Sequence, residues 1–224
     1  MEPALLSLTA ASIAFVGTHF ALSHPLRAPL VGMVGEKGFP AIYSLVALAT
    51  FIWMVLAFRA APSPDLPGSG EFGWIAVSVI TIPAIVLWLG SFKGNPAMPM
   101  PGAEKAAQAE PSGVFRVTRH PMMWSFALWA VSHLILFWSM RTLIVASAVL
   151  FLALVGAKMQ DRKKQALMGE AWIGWESRTS YWPKWSALFG VGWGLWLIAI
   201  AVWLLFSWLH IPVADVPAGV WRWF

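Results

Sequence analysis

Five histidines, His19, His24, His120, His133 and His210, are the side chains of this chain best suited to chemistry. The apolar stretches at about 5–23, 40–58, 73–92, 122–139, 142–157 and 190–210 contain no Asp, Glu, Lys or Arg. Within them, histidine alone can titrate or bind a metal near neutral pH, because the chain has no cysteine. That absence also excludes disulfides, thiolate metal sites, iron–sulfur clusters and covalently attached haem.

His133 lies about a dozen residues into the fourth stretch, and Trp129 stands one turn before it on the same helical face. His19 lies a little over one turn from the end of the first stretch. The ordinary role of such a histidine is a hydrogen bond across a helical bundle, worth about 1 kcal/mol. Two neutral imidazoles from different helices also suit the axial positions of a haem b iron. His19 and His133 are therefore the candidate metal ligands. His24 is an alternative to His19, five residues further and about 140° around a helix. His210 closes the last stretch before Pro212 and reads as an interfacial residue.

A second cluster is Arg116-Val117-Thr118-Arg119-His120-Pro121. Pro121 signals a helix start, with Arg119 and His120 just before it. Exposed N–H groups, the helix dipole and the basic side chains make an anion-binding corner there. A lipid phosphate, a haem propionate or the carboxylate of a nucleotide-type cofactor would fit. Asp161 and Arg162, after the fifth stretch, are placed to return and pair with this corner.

These residues need an all-α scaffold. Only 11% of the 224 residues are charged, against about 25% in soluble domains, and mean hydropathy is +0.70. So few charges cannot cover a globular surface, and the bilayer is the expected solvent. The reading is one polytopic transmembrane helical bundle over residues 1–224, with about six spans at the stretches given above. Residues 140–141 alone separate the fourth and fifth, which predicts a tight hairpin. Twelve of the fifteen basic residues fall in one set of alternate loops, leaving Arg59, Arg141 and Arg222 in the other. The positive-inside rule puts the twelve in the cytoplasm and both termini outside. Basic loops beside spans account for the net charge of +5, so the expected partner is membrane lipid and not nucleic acid. The opening MEPALL lacks a positive leader region, so the first stretch is expected to persist as a span. Trp74, Trp138, Trp208, Trp221 and Trp223 fall near the expected interfaces.

Two loops stand out. Residues 93–119, with Pro96, Pro99, Pro101 and Pro111, read as a long irregular excursion. Residues 158–189 begin as a surface helix, with Ala166, Leu167, Ala171, Trp172 and Trp175 toward lipid and Arg162, Lys163 and Lys164 toward headgroups. Pro183 ends any such helix.

The stretch FRVTRHPMMWSFALWAVSHL at 115–134, then DRKK at 161–164, GEAW at 169–172 and TSYWP at 179–183, resembles the NnrU family of bacterial membrane proteins. HFALSHPLR at 19–27 and GFPAIYSLVAL at 38–48 fit the same family, so the likeness covers almost the whole chain. The resemblance implies a link to nitrite and nitric oxide reduction in denitrification. The plant 15-cis-zeta-carotene isomerase is similar to this family and is a membrane enzyme using haem b with two histidine ligands. Its ligand after the RHP motif matches His133. Its first-helix ligand matches His19 best, with an offset of about one residue to Arg27 that keeps His24 as an alternative. This implies haem b as cofactor, a haem-dependent isomerase or redox-linked role, and partners in a respiratory or carotenoid pathway. The RHP element also resembles membrane methyltransferases of the isoprenylcysteine and phospholipid type. There it helps hold S-adenosylmethionine beside paired glutamates, where this chain reads Gln160-Asp161. An S-adenosylmethionine-dependent methyltransferase and a cofactor-free membrane accessory protein are the alternative readings.

Overall fold

The computed structural model describes residues 2–62, 68–98 and 101–224, and Pro99 lies outside them. Among the described residues the fold is all-helical. The helices are α1 (Pro3–Ser23), α2 (Arg27–Ala60), α3 (Gly70–Gly90), α4 (Ala103–Gln108), α5 (Pro121–Leu136), α6 (Met140–Met168), α7 (Glu170–Arg178) and α8 (Trp193–Ala214). Of these, α1, α2, α3, α6 and α8 are long and apolar enough to cross a membrane. The polytopic helical bundle expected from the sequence is found, with five helices of spanning length and one shorter apolar helix among the described residues.

The shorter one is α5. Its 16 residues cover about 24 Å, less than the roughly 30 Å of hydrocarbon. The sequence reading carried it to residue 139; it ends at Leu136. The cause lies in Ser139, whose hydroxyl accepts the Thr142 backbone N–H at 3.3 Å and donates to Thr142 Oγ1 at 3.0 Å. Ser139 therefore caps α6, and the hairpin breaks before Met140. At the other end α6 overruns the bilayer. Its 29 residues span about 44 Å, more than the roughly 30 Å of hydrocarbon, so its charged turns from Lys158 onward extend past the apolar part.

Helix α2 also begins earlier than its apolar stretch. It starts at Arg27 and is kinked at Gly35, whose φ of 76° suits a residue without a Cβ. The chain turns sharply at His24, directly after α1.

Two compact units are distinguished. The first comprises Met1–Pro67 and Phe137–Leu152. Its core joins Leu8 and Ala11 of α1 to Met54 and Ala57 of α2, with Ile144 and Val145 packed against them. The second comprises Gly68–Leu136 and Ala153–Phe224. There α3 packs against α5 and α8, and α4 packs against α7. The irregular 93–119 excursion holds two short helical pieces, α4 and a 3-10 turn at Gly113–Arg116.

Gly90, at the end of α3, sets how closely this loop approaches. A Cβ there would lie 2.4 Å from Val114 Cγ1 and 3.1 Å from Leu195 Cδ2. Val114 is buried and β-branched, so it cannot swing aside. Gly90→Ala is expected to lower stability by about 1–3 kcal/mol, read by thermal unfolding in detergent. An unchanged midpoint would mean that the loop moves freely.

Candidate functional site

The RHP corner is built where two irregular segments of the second unit are stitched together. The Arg119 N–H donates to Ser180 O and the Lys184 N–H to Val117 O, both at 2.8 Å. The Thr118 hydroxyl donates to Tyr181 O at 2.8 Å and accepts the His120 N–H at 3.2 Å. Trp124, one turn into α5, donates its indole N–H to Tyr181 O at 2.9 Å. The Tyr181 hydroxyl in turn donates to Leu154 O of α6 at 2.6 Å. Pro121 then opens α5, a position where proline loses nothing by lacking an N–H.

This frame drives Arg119 and His120 onto α6. Arg119 grips Asp161 with two parallel bonds, Nε to Oδ1 at 3.0 Å and Nη2 to Oδ2 at 2.7 Å. His120 donates Nε2–H to Asp161 Oδ1 at 2.8 Å. Arg119 Nη2 also reaches Glu176 Oε1 of α7 at 3.2 Å, and Gln165 of α6 donates to the other oxygen of that carboxylate. Arg119, His120 and Asp161 retain only 7%, 2% and 1% of their exposure. The pairing with Asp161 follows the sequence expectation; Arg162 stays exposed. The anions held by the corner are thus the chain's own carboxylates.

Buried charges this close must be satisfied by hydrogen bonds, and these are bidentate and short. Asp161 lies beyond the apolar part of α6. Burial pushes its carboxyl up, but the bonds from His120 and Arg119 outweigh burial and hold it at about 2. The sign follows from linkage. A carboxyl depressed from 3.8 contributes stability above that pH and loses it as pH falls through about 2. Detergent-solubilised protein should therefore lose thermal stability between about pH 4 and about pH 2. Asp161→Asn should flatten that limb; an equally steep limb in the variant would assign the acid sensitivity to other groups. Burial likewise pushes the Tyr181 phenol up, with the Asp161 charge adding to it.

Trp172 and Trp175 depart from expectation. Both are fully buried in the second unit, not turned to lipid. Trp172 packs beside His120 with ring centroids 6.4 Å apart, and Trp175 packs edge-on against Phe115 at 5.7 Å. Gly169 causes this. Its φ of 51° and ψ of −127° end α6 and let α7 fold back. Lys164, expected among headgroups, is buried and donates Nζ–H to Pro96 O at 2.9 Å. Gln160 similarly donates to Ala97 O at 3.1 Å. Gln160, Asp161 and Lys164 of α6 are thus spent on holding loops.

The intramembrane histidines are arranged differently. His19 donates Nδ1–H to Phe15 O at 2.7 Å, and His133 does the same to Trp129 O at 2.8 Å. A carbonyl only accepts, so each bond fixes the ring orientation and leaves Nε2 as the lone-pair nitrogen of the neutral ring. His19 sits between Phe15, at 4.4 Å, and Tyr43, at 5.5 Å. Trp129 stacks on His133 at 4.1 Å, as their spacing predicts. His210 has the same arrangement, Nδ1–H to Phe206 O at 2.7 Å, and lies within electrostatic reach of His133. The sequence reading placed it at the close of the last span and read it as interfacial; α8 continues through Pro212 to Ala214. His19 belongs to the first unit, His133 and His210 to the second. His24 follows α1 directly and is also in the first unit.

A family model described as NnrU protein matches residues 7–218. The chain belongs to the NnrU family. Comparison with curated proteins and with solved structures gives no match. The matched region takes in both parts of this NnrU-family chain singled out by chemistry, the RHP corner and the intramembrane histidines. Glu176 of the corner was missed from sequence, though it is one of just ten acidic residues. Thr118 and Tyr181 stood in the RHP cluster and the TSYWP motif but were given no role of their own.

Proposed function

We propose that this NnrU-family membrane protein binds haem b through His19 and His133. The observation that carries the reading is the paired Nδ1–H bonds to Phe15 O and Trp129 O. Ligating histidines characteristically hold their second ring nitrogen this way, on a backbone carbonyl or carboxylate. Phe15, Tyr43 and Trp129 add aromatic surface of the kind a porphyrin packs against. Bound haem b would supply a redox-active or Lewis-acidic iron. The chain's own part is to set the imidazole rings and exclude water. Family membership favours an accessory role in nitrite and nitric oxide reduction. Zeta-carotene isomerase-like chemistry is the other setting. The proposed location is the bacterial inner membrane, basic loops in the cytoplasm and both termini in the periplasm.

Haem is favoured over S-adenosylmethionine. At the RHP corner three donors, Arg119 Nε, Arg119 Nη2 and His120 Nε2, are already committed to Asp161, so an incoming carboxylate would have to displace it.

The experiment is a visible spectrum of protein purified in detergent from haem-replete cells, oxidised and reduced. A Soret band with low-spin features is expected. Colourless, well-folded protein overturns the reading. A spectrum that survives His19→Ala but is lost in His210→Ala would move the second ligand to α8.

A further inference from the structure

We infer that the end of the second unit where α3 finishes and α8 begins is a docking surface for anionic phospholipid. Three segments meet there: residues 90–98 after α3, the loop 113–121 before α5, and residues 179–193 leading into α8. Gly90 is close-packed against Val114 and Leu195. A Cβ on Gly190 would lie 3.6 Å from the Arg116 guanidinium. The Lys184 N–H bond to Val117 O closes the set.

Charge identifies the partner. None of the three segments contains Asp or Glu. Lys93, Arg116 and Lys184 are exposed, and none is in an ion pair among the described residues. The far end of α3 is different, because Glu71 there is paired with Arg222. One end of α3 is thus charge-balanced and the other carries unopposed cations.

Shape identifies the partner as a lipid surface. Trp182, Phe189 and Trp193 flank Lys184 along the chain and are exposed to 66%, 89% and 84%. Large aromatic rings left this open are costly in water and favoured at the headgroup level of a bilayer. Cations among them meet lipid phosphates at the same depth, and each strengthens attraction to an anionic surface. An acidic protein partner would use the cations and leave the aromatic rings exposed.

The test reconstitutes the full chain into mixed micelles of phosphatidylglycerol and phosphatidylcholine at equal amounts and measures the ratio bound. Phosphatidylglycerol should be enriched about fivefold over bulk, the effect of roughly one such cation near an anionic surface. The triple variant Lys93→Gln/Arg116→Gln/Lys184→Gln should bring the ratio back to bulk. All three side chains are exposed, and folding is checked by the variant's unfolding midpoint. Arg59→Gln, in the first unit, should leave the enrichment intact. No enrichment in the parent chain, enrichment retained in the triple variant, or equal loss in Arg59→Gln would overturn the inference. So would full displacement of the lipid by inorganic phosphate or an acidic peptide, since either would reassign the surface. The outcome is independent of haem content.

Discussion

Asp161→Ala is expected to be among the most destabilising single substitutions in this protein, at about 3–5 kcal/mol. Two donors from Arg119 and one from His120 converge on a carboxylate with 1% of its surface exposed. Removing the carboxylate strands the guanidinium in a buried site where Glu176 offers one weaker contact at 3.2 Å. The loss also frees α6 from the RHP loop. A shift in thermal midpoint on the order of 10 °C should follow, read from the fluorescence of the sixteen tryptophans. Asp161→Asn retains an acceptor oxygen and should cost less. The decisive measurement is a double-mutant cycle. Arg119→Met removes the stranded cation, so Asp161→Ala combined with it should be much less damaging than the two effects summed. Additive costs would show that Asp161 matters for shape and not for its charge.

His133→Ala should abolish the low-spin haem spectrum and lower haem content by at least about tenfold. Disturbing a residue that merely supports a metal ligand costs roughly 10–100-fold in affinity, and loss of the ligand itself should cost no less. Added imidazole should partly restore the spectrum of this variant, because a small ligand can enter the space left by the ring. The unfolding midpoint of haem-free His133→Ala is measured beside it, and the loss of haem should be large against any change in that midpoint. This separates ligation from structural support. A variant with full haem content and an unaltered spectrum would remove His133 from the site. Trp129→Leu offers a milder comparison. It takes away the ring stacked at 4.1 Å but keeps the carbonyl that fixes the tautomer, so the spectrum should shift and persist.

Much of this architecture is written in the order of residues. A run of about twenty apolar residues has one stable form in hydrocarbon, a helix that bonds its own backbone, and so the long spans can be read from hydropathy alone. The partnership of Asp161 with the RHP corner was also legible. In a chain with only ten acids against fifteen bases, the arginines of the corner have few partners, and Asp161 lies just beyond a span. Trp129 and His133 share a face because they are one turn apart, which no tertiary contact can change.

Other features depend on contacts between segments far apart in sequence. Trp172 and Trp175 carry the pattern of a helix lying on a membrane, and the same pattern serves a helix packed on protein. The backbone turn at Gly169 decides between them, and it buries both rings beside Phe115 and His120. Lys164 looks like a headgroup contact until the loop at Pro96 brings it a carbonyl. Glu176 joins Arg119 only because α7 folds back. Local sequence determined which segments are helices and where charge is forbidden, because backbone hydrogen bonding and desolvation act residue by residue. Tertiary structure decided which polar groups meet, because a buried donor can be satisfied by any acceptor that packing brings within reach.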